Sequence, residues 1–254
     1  MFQYLYDQIM GTPPSKKAKT KANRGDDGDL PTQHIAIVMD SSGSMRSMGD
    51  EPVQGINHFI DEQKKTTECN IRISVYDFNH AVRELLFNKA IEDIDELPSD
   101  FFRPDGMTAL RDGIHRAIKD LEILVDSERK YEPVDAPTVI IFTDGVENAS
   151  RVTQEEIRRL IGQKRELGWK FTFMGCNQDA LEVGAKMGVQ REQCLTTSSE
   201  PATQANIWDA VTRNATRTRS GCDEGFTQCE RMASVDTSAR SSSATDADNF
   251  PRRM

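Results

Sequence analysis

The sequence predicts an α/β domain, a doubly wound and mostly parallel sheet with helices on both faces and one antiparallel edge strand. Three observations lead there. Short apolar runs recur along the middle of the chain, longer amphipathic stretches separate most of them, and two of the runs end on acidic turns, Asp40 and Thr143-Asp144-Gly145. Strand patterns alternating with helix patterns mean parallel strands joined by crossover helices, and such a sheet is buried on both sides.

The first strand is His34-Ile-Ala-Ile-Val-Met39, ending at Asp40. A helix over 53–66 follows, with Ile56, Phe59 and Ile60 on one face. The second strand spans 71–78. Only Asn79, His80 and Ala81 separate it from a third over 82–87, too short a connection for anything but an antiparallel hairpin. After a mixed stretch comes a helix over 109–126, carrying Leu110, Ile114, Ala117, Ile118 and Leu121 at helical spacing. Val139 to Phe142 is a strand running into Asp144. Thr153 with Glu156 three residues on reads as a capping box for a helix that Gly168 stops. A strand over 171–174, a helix over 179–187, a short strand over 194–196 and a helix over 202–213 complete the pattern. The last helix would bury Ile207, Trp208 and Val211.

The two ends differ in texture. Residues 1–33 form an appendage expected to be largely disordered: Phe2, Leu5, Tyr6 and Ile9 fall at helical spacing, so Met1 to Met10 reads either as one amphipathic stretch or as a disordered start, and a basic run from Lys16 to Arg24 follows. That run reads either as a solvated linker or as a nuclear-import signal. The tail 218–254 is rich in Ser, Thr, Arg and Asp and is expected to be disordered, which leaves 34–217 as the folded domain. A mean hydropathy of -0.60 agrees with polar ends around an ordinary core.

Composition narrows the function. The net charge of -9 argues against general nucleic-acid binding, leaving at most weak, salt-sensitive contact through Lys16–Arg24. No apolar run reaches the ~18 residues of a membrane span, and no basic-then-apolar start marks secretion. The five cysteines are scattered, without a C-x-x-C pair, as expected for reduced thiols of an intracellular protein; Cys69 and Cys176 read as small core residues.

The chemistry lies in Asp40-Ser41-Ser42-Gly43-Ser44. In doubly wound sheets, ligands bind beyond the carboxyl ends of strands where strand order reverses. If the strands ending at Asp40 and Asp144 are neighbours there, both carboxylates face one crevice. Thr108, in Pro104-Asp-Gly-Met-Thr, could enter it from a third side. Asp40, Ser42, Ser44, Thr108 and Asp144 offer oxygen alone, the ligand set of a hard cation such as Mg2+ or Mn2+, and the lack of Cys and His counts against zinc. The alternative for Ser42, Ser44 and Thr108 is helix capping. Asp77, Asp105 and Asp112 lie close in sequence but read as loop or surface acids. His34, His58, His80 and His115 share no spacing.

The pattern D-x-S-x-S, then Gly106-x-Thr108-x-Leu110, then Thr143-Asp144-Gly145 resembles the von Willebrand factor A (vWA) domain and its metal-ion-dependent adhesion site, with all five metal positions intact. The resemblance runs over roughly 34–216 and implies a Rossmann-like sheet. Thr143-Asp-Gly-Val-Glu-Asn-Ala-Ser150 and Gly175-Cys-Asn-Gln-Asp-Ala180 look like the viral, phage and microbial branch of that family. The resemblance further implies that the three hydroxyls contact the metal while the aspartates act partly through water. The metal then recruits an Asp or Glu of a protein partner. The expected function is therefore a binding module for adhesion or assembly, not an enzyme. A metal-independent scaffold recruiting through its tails is one alternative. A Mg-dependent hydrolase is another, against which stand the lack of an evident general base such as His or Lys beside the metal and of a nucleophile elbow at Gly43-Ser44-Met45.

Overall fold

The computed structural model describes residues 30–131, 133–177 and 179–235. The amphipathic stretch or disordered start over 1–10, the basic run Lys16–Arg24 and the end of the chain beyond 235 lie outside the described residues. Six strands form one sheet: β1 Thr32–Asp40, β2 Asn70–Phe78, β3 Val82–Ala90, β4 Thr138–Thr143, β5 Lys170–Cys176 and β6 Cys194–Thr197, in the order β3-β2-β1-β4-β5-β6. All pairings are parallel except β2 with β3, so β3 is the antiparallel edge strand. The helices are α1 Glu51–Gln63, α2 Leu110–Glu128, α3 Gln154–Glu166, α4 Ala180–Met187, α5 Pro201–Arg219 and α6 Gln228–Ala233.

The burial of each strand follows from its place. β1 lies in the middle of the sheet and is buried along its whole length, which is why it is apolar at consecutive positions. β3 lies at the edge and carries Arg83, Glu84 and Lys89 toward solvent. One face of the sheet packs against α1 and α5, through Ile56, Phe59, Ile207 and Trp208; the other packs against α2, α3 and α4, through Ile114, Leu121, Ile157 and Ala180. Gly55 is required where α1 meets α5, because a Cβ there would lie 2.1 Å from Trp208 Nε1. Helix starts obey local chemistry. Pro52 sits in the first turn of α1, where its missing N–H is harmless, and the Thr153 hydroxyl accepts the Glu156 N–H at the start of α3.

The described elements reach beyond the expected 34–217: β1 begins at Thr32, α5 runs to Arg219, Phe226 is buried, and α6 packs back on the domain. Hydropathy misses this segment because polar bonds anchor it. Glu230 accepts from Arg217 Nη1 at 2.8 Å and Nη2 at 2.9 Å, and from Arg213 Nε at 3.2 Å. Arg231 Nη1 donates to Cys194 O at 2.8 Å and Ser234 Oγ to Thr196 O at 2.7 Å, so side chains from the α6 region cover alternate carbonyls of β6. No helix among the described residues is long and apolar enough to cross a membrane. The five cysteines are free thiols, three of them buried.

Candidate metal centre

The strand order reverses between β1 and β4. After β1 the chain adds β2 and β3 on one side, then crosses back to place β4 on the other. Met39 pairs with Phe142, so Asp40 and Thr143 emerge side by side at the carboxyl ends of the two strands. The backbone bond Ser41 N–H to Phe78 O, 2.8 Å, turns the chain out of β1. Residues Gly43–Met48 then wind into a short 3-10 helix that brings Ser44 back over the strand ends.

The five residues named from sequence come together here. Ser42 N–H donates to Asp40 Oδ1 at 2.7 Å, Ser42 Oγ and Ser44 Oγ lie 3.1 Å apart, and Ser44 Oγ donates to Asp144 Oδ1 at 2.6 Å. Thr108 closes the crevice from the third side. A Cβ on Gly145 would meet Thr108 Oγ1 at 2.8 Å and Asp40 Oδ2 at 3.2 Å, so both oxygens converge on a spot that only glycine leaves open. Asp40, Ser42 and Thr108 are buried, and Ser44 forms the exposed lip. The capping alternatives do not describe these side chains. Ser42 stands at the N-cap of the 3-10 helix without a side-chain cap bond, and α2 is preceded by Ala109, not Thr108.

Two acids facing one crevice raise each other's cost of ionisation. Burial pushes the Asp40 carboxyl up to about 6 against the bonds from Thr143 and Ser42, and the nearby charge of Asp144 adds to the rise. Burial also raises Asp144, opposed by the Ser44 bond. Among the described residues no ion pair links either acid to a basic side chain. The neighbouring acids are employed elsewhere. Asp77 is clamped by Arg83, Asp105 pairs with Arg46 on the surface, and Asp112 Oδ1 accepts the Val152 N–H at 2.9 Å. Nor do the histidines assemble: His34 meets Glu128 and His58 meets Asp209. Among the described residues no three His, Cys, Asp or Glu side chains form a metal-holding group, so the crevice rests on two carboxylates and three hydroxyls.

Three further residues contribute, present in the sequence motifs but without a role there. Thr143 Oγ1 donates to Asp40 Oδ2 at 2.6 Å and receives the Gly145 N–H at 3.1 Å, which fixes the carboxylate and the turn together. Asn148 Oδ1 accepts the Thr108 N–H at 2.9 Å, and Glu147 caps the same region. The motif around Thr143 was the available signal, but motif spelling does not say which letters touch.

No protein-family model and no curated protein matches the chain. Solved structures do. Proximal thread matrix protein 1 from the mussel byssus is 20% identical with a TM-score of 0.57, over 73% of this chain and 46% of that one. A second structure of the mussel protein, described as having a zinc-occupied MIDAS motif, is 19% identical with a TM-score of 0.53, over 73% of this chain and 46% of that one. The vWF domain of a type V pili tip protein from Porphyromonas gingivalis is 9% identical with a TM-score of 0.53, over 75% of this chain and 97% of that one. The chain spans less than half the length of the mussel structures. At these identities the likeness establishes the fold, which is that of a vWA domain.

Proposed function

We propose that the domain is a metal-dependent protein-binding module for adhesion or assembly, holding a Mg-type cation with Asp40, Ser42, Ser44, Thr108 and Asp144. One observation carries the reading: these five oxygen donors converge on a crevice whose two acids form no ion pair with a basic side chain among the described residues. The set fits a hard divalent cation, Mg2+ or Mn2+. A cation there supplies a Lewis-acidic centre able to attract an Asp or Glu carboxylate from a partner protein. The chain's own residues do the rest. Thr143 and the Ser42 N–H hold the Asp40 carboxylate in place, Ser44 orients Asp144, and Gly145 keeps the approach open. The zinc-occupied motif of the mussel structure supports a divalent ion at this position of the fold. Binding is favoured over hydrolysis because, among the described residues, the hydrogen bonds at Asp40 and Asp144 come from hydroxyls and peptide N–H groups and none from a His or Lys that could act as a base beside the metal.

The test is the melting of the purified chain against Mg2+ or Mn2+. Binding to the native state alone should stabilise it by about 2.7 kcal/mol at a hundredfold excess over Kd, and Asp40→Ala should remove that response. Capture of a protein partner should be lost with chelator. Identical melting of both proteins at every metal concentration refutes the metal site, and chelator-insensitive capture favours the scaffold alternative.

A further inference from the structure

The segment after Asp144 forms far more bonds to the Thr108 loop than a simple turn requires. Thr108 precedes α2 and receives no helical bond of its own. Instead its N–H donates to Asn148 Oδ1 at 2.9 Å, while its carbonyl accepts the N–H groups of Asn148 at 3.1 Å and Ala149 at 3.2 Å. Both sides of the Thr108 residue are thereby fixed from one direction. The support continues behind it. The largely buried Glu147 carboxylate accepts the Ser150 N–H at 2.8 Å and Ser150 Oγ at 2.6 Å, and reaches across to the Arg111 N–H at 3.0 Å. In return Asp112 Oδ1 accepts the N–H groups of Arg151 at 3.0 Å and Val152 at 2.9 Å. Donors run in both directions between 108–112 and 147–152, so neither segment can shift without breaking bonds to the other.

We infer that Asn148, backed by Glu147 and Asp112, is a positioning residue that ties Thr108 to the segment following Asp144, so that these two members of the site move as one body. The inference rests on the metal reading and adds to it a residue that touches no metal. Residues acting through a ligand usually change metal affinity by about tenfold or more, and a residue acting through one side chain must lose its effect when that side chain is removed.

The experiment is a double-mutant cycle in the full chain, read as Mn2+ affinity by calorimetry and as amide hydrogen exchange without metal. Asn148→Ala should weaken Mn2+ binding about tenfold and speed exchange over 105–112 while leaving the Gly43–Met48 helix unchanged. In a Thr108→Ala background the same substitution should change affinity less than twofold, on the order of ordinary additivity error. Asn148→Asp, which keeps the acceptor, should restore slow exchange. Equal losses in both backgrounds, or unchanged exchange over 105–112, overturn the positioning role while the metal site stands. A wild-type chain that binds no Mn2+ overturns the metal reading and this role with it.

Discussion

Two buried acidic sites in this molecule are treated in opposite ways. At the α5–α6 contact, burial pushes Glu230 up, but the bonds from Arg217, Thr227 and Arg213 together outweigh it and hold the carboxyl below its usual range. In the crevice, burial raises Asp40 to about 6 and the hydroxyl and N–H bonds from Thr143 and Ser42 do not compensate. The first arrangement balances a charge within the chain and so fastens one helix to another. The second leaves negative charge open, which costs stability in the isolated chain and becomes favourable once a cation arrives. A deficit of this kind separates a site for binding from a bond for folding.

The comparison can be broken at either end. The largest effect is expected at the clamp. Arg217→Ala leaves Glu230 with Arg213 and the Thr227 N–H and should cost up to about 3–5 kcal/mol, the penalty for stripping a partner from a buried charge. Denaturant unfolding checks this, and a loss below about 1 kcal/mol would show that the clamp does not hold the fold. Asp40→Asn should act with the opposite sign in chelator. A carboxyl raised in the native state favours folding fully below 3.8, and that contribution is lost as pH rises through about 6. The metal-free wild type and Asp40→Asn should therefore melt alike near pH 4. At pH 7.5 the variant should be more stable, by up to about 3 kcal/mol if each pKa unit is worth about 1.36 kcal/mol. With Mg2+ present the order should reverse. A wild type that is the more stable protein at pH 7.5 in chelator contradicts the open-charge reading. The smallest effect belongs to Arg46–Asp105, a solvent-exposed pair with side chains 66% and 75% accessible. Arg46→Ala should change unfolding by less than about 1 kcal/mol, and a larger change would make that surface pair part of the clamp class.

The sheet was legible because its signals are local. β1 and β4 are runs of apolar residues that stop on an acid, and the hairpin follows from a three-residue gap between β2 and β3. The five crevice residues were legible by motif order, and the register of Met39 with Phe142 explains why strand ends far apart in sequence coincide. Other features depend on partners without periodicity. Asn148 finds Thr108 forty positions away, and Arg217 finds Glu230 across a polar turn. Ordinary loop composition hides both. The positive φ of 48° at Asn88 falls where the β2–β3 register shifts, and its side chain accepts from Arg72 Nε at 2.7 Å, a pairing that no periodicity marks. Gly145 was part of a quoted motif, yet the need for glycine emerges only once Thr108 and Asp40 are seen to converge on it.

The cover that Arg231 and Ser234 place over β6 has a consequence for the behaviour of the chain in solution. An uncovered edge strand offers free carbonyls and N–H groups in register and so acts as a template for the edges of other molecules. By occupying the carbonyls of Cys194 and Thr196 with side chains instead of another strand, the residues after α5 oppose strand addition at the β6 edge. A shortened chain ending at 217 would retain the crevice but lose Phe226 from the core and bare the β6 edge, a change expected to favour aggregation.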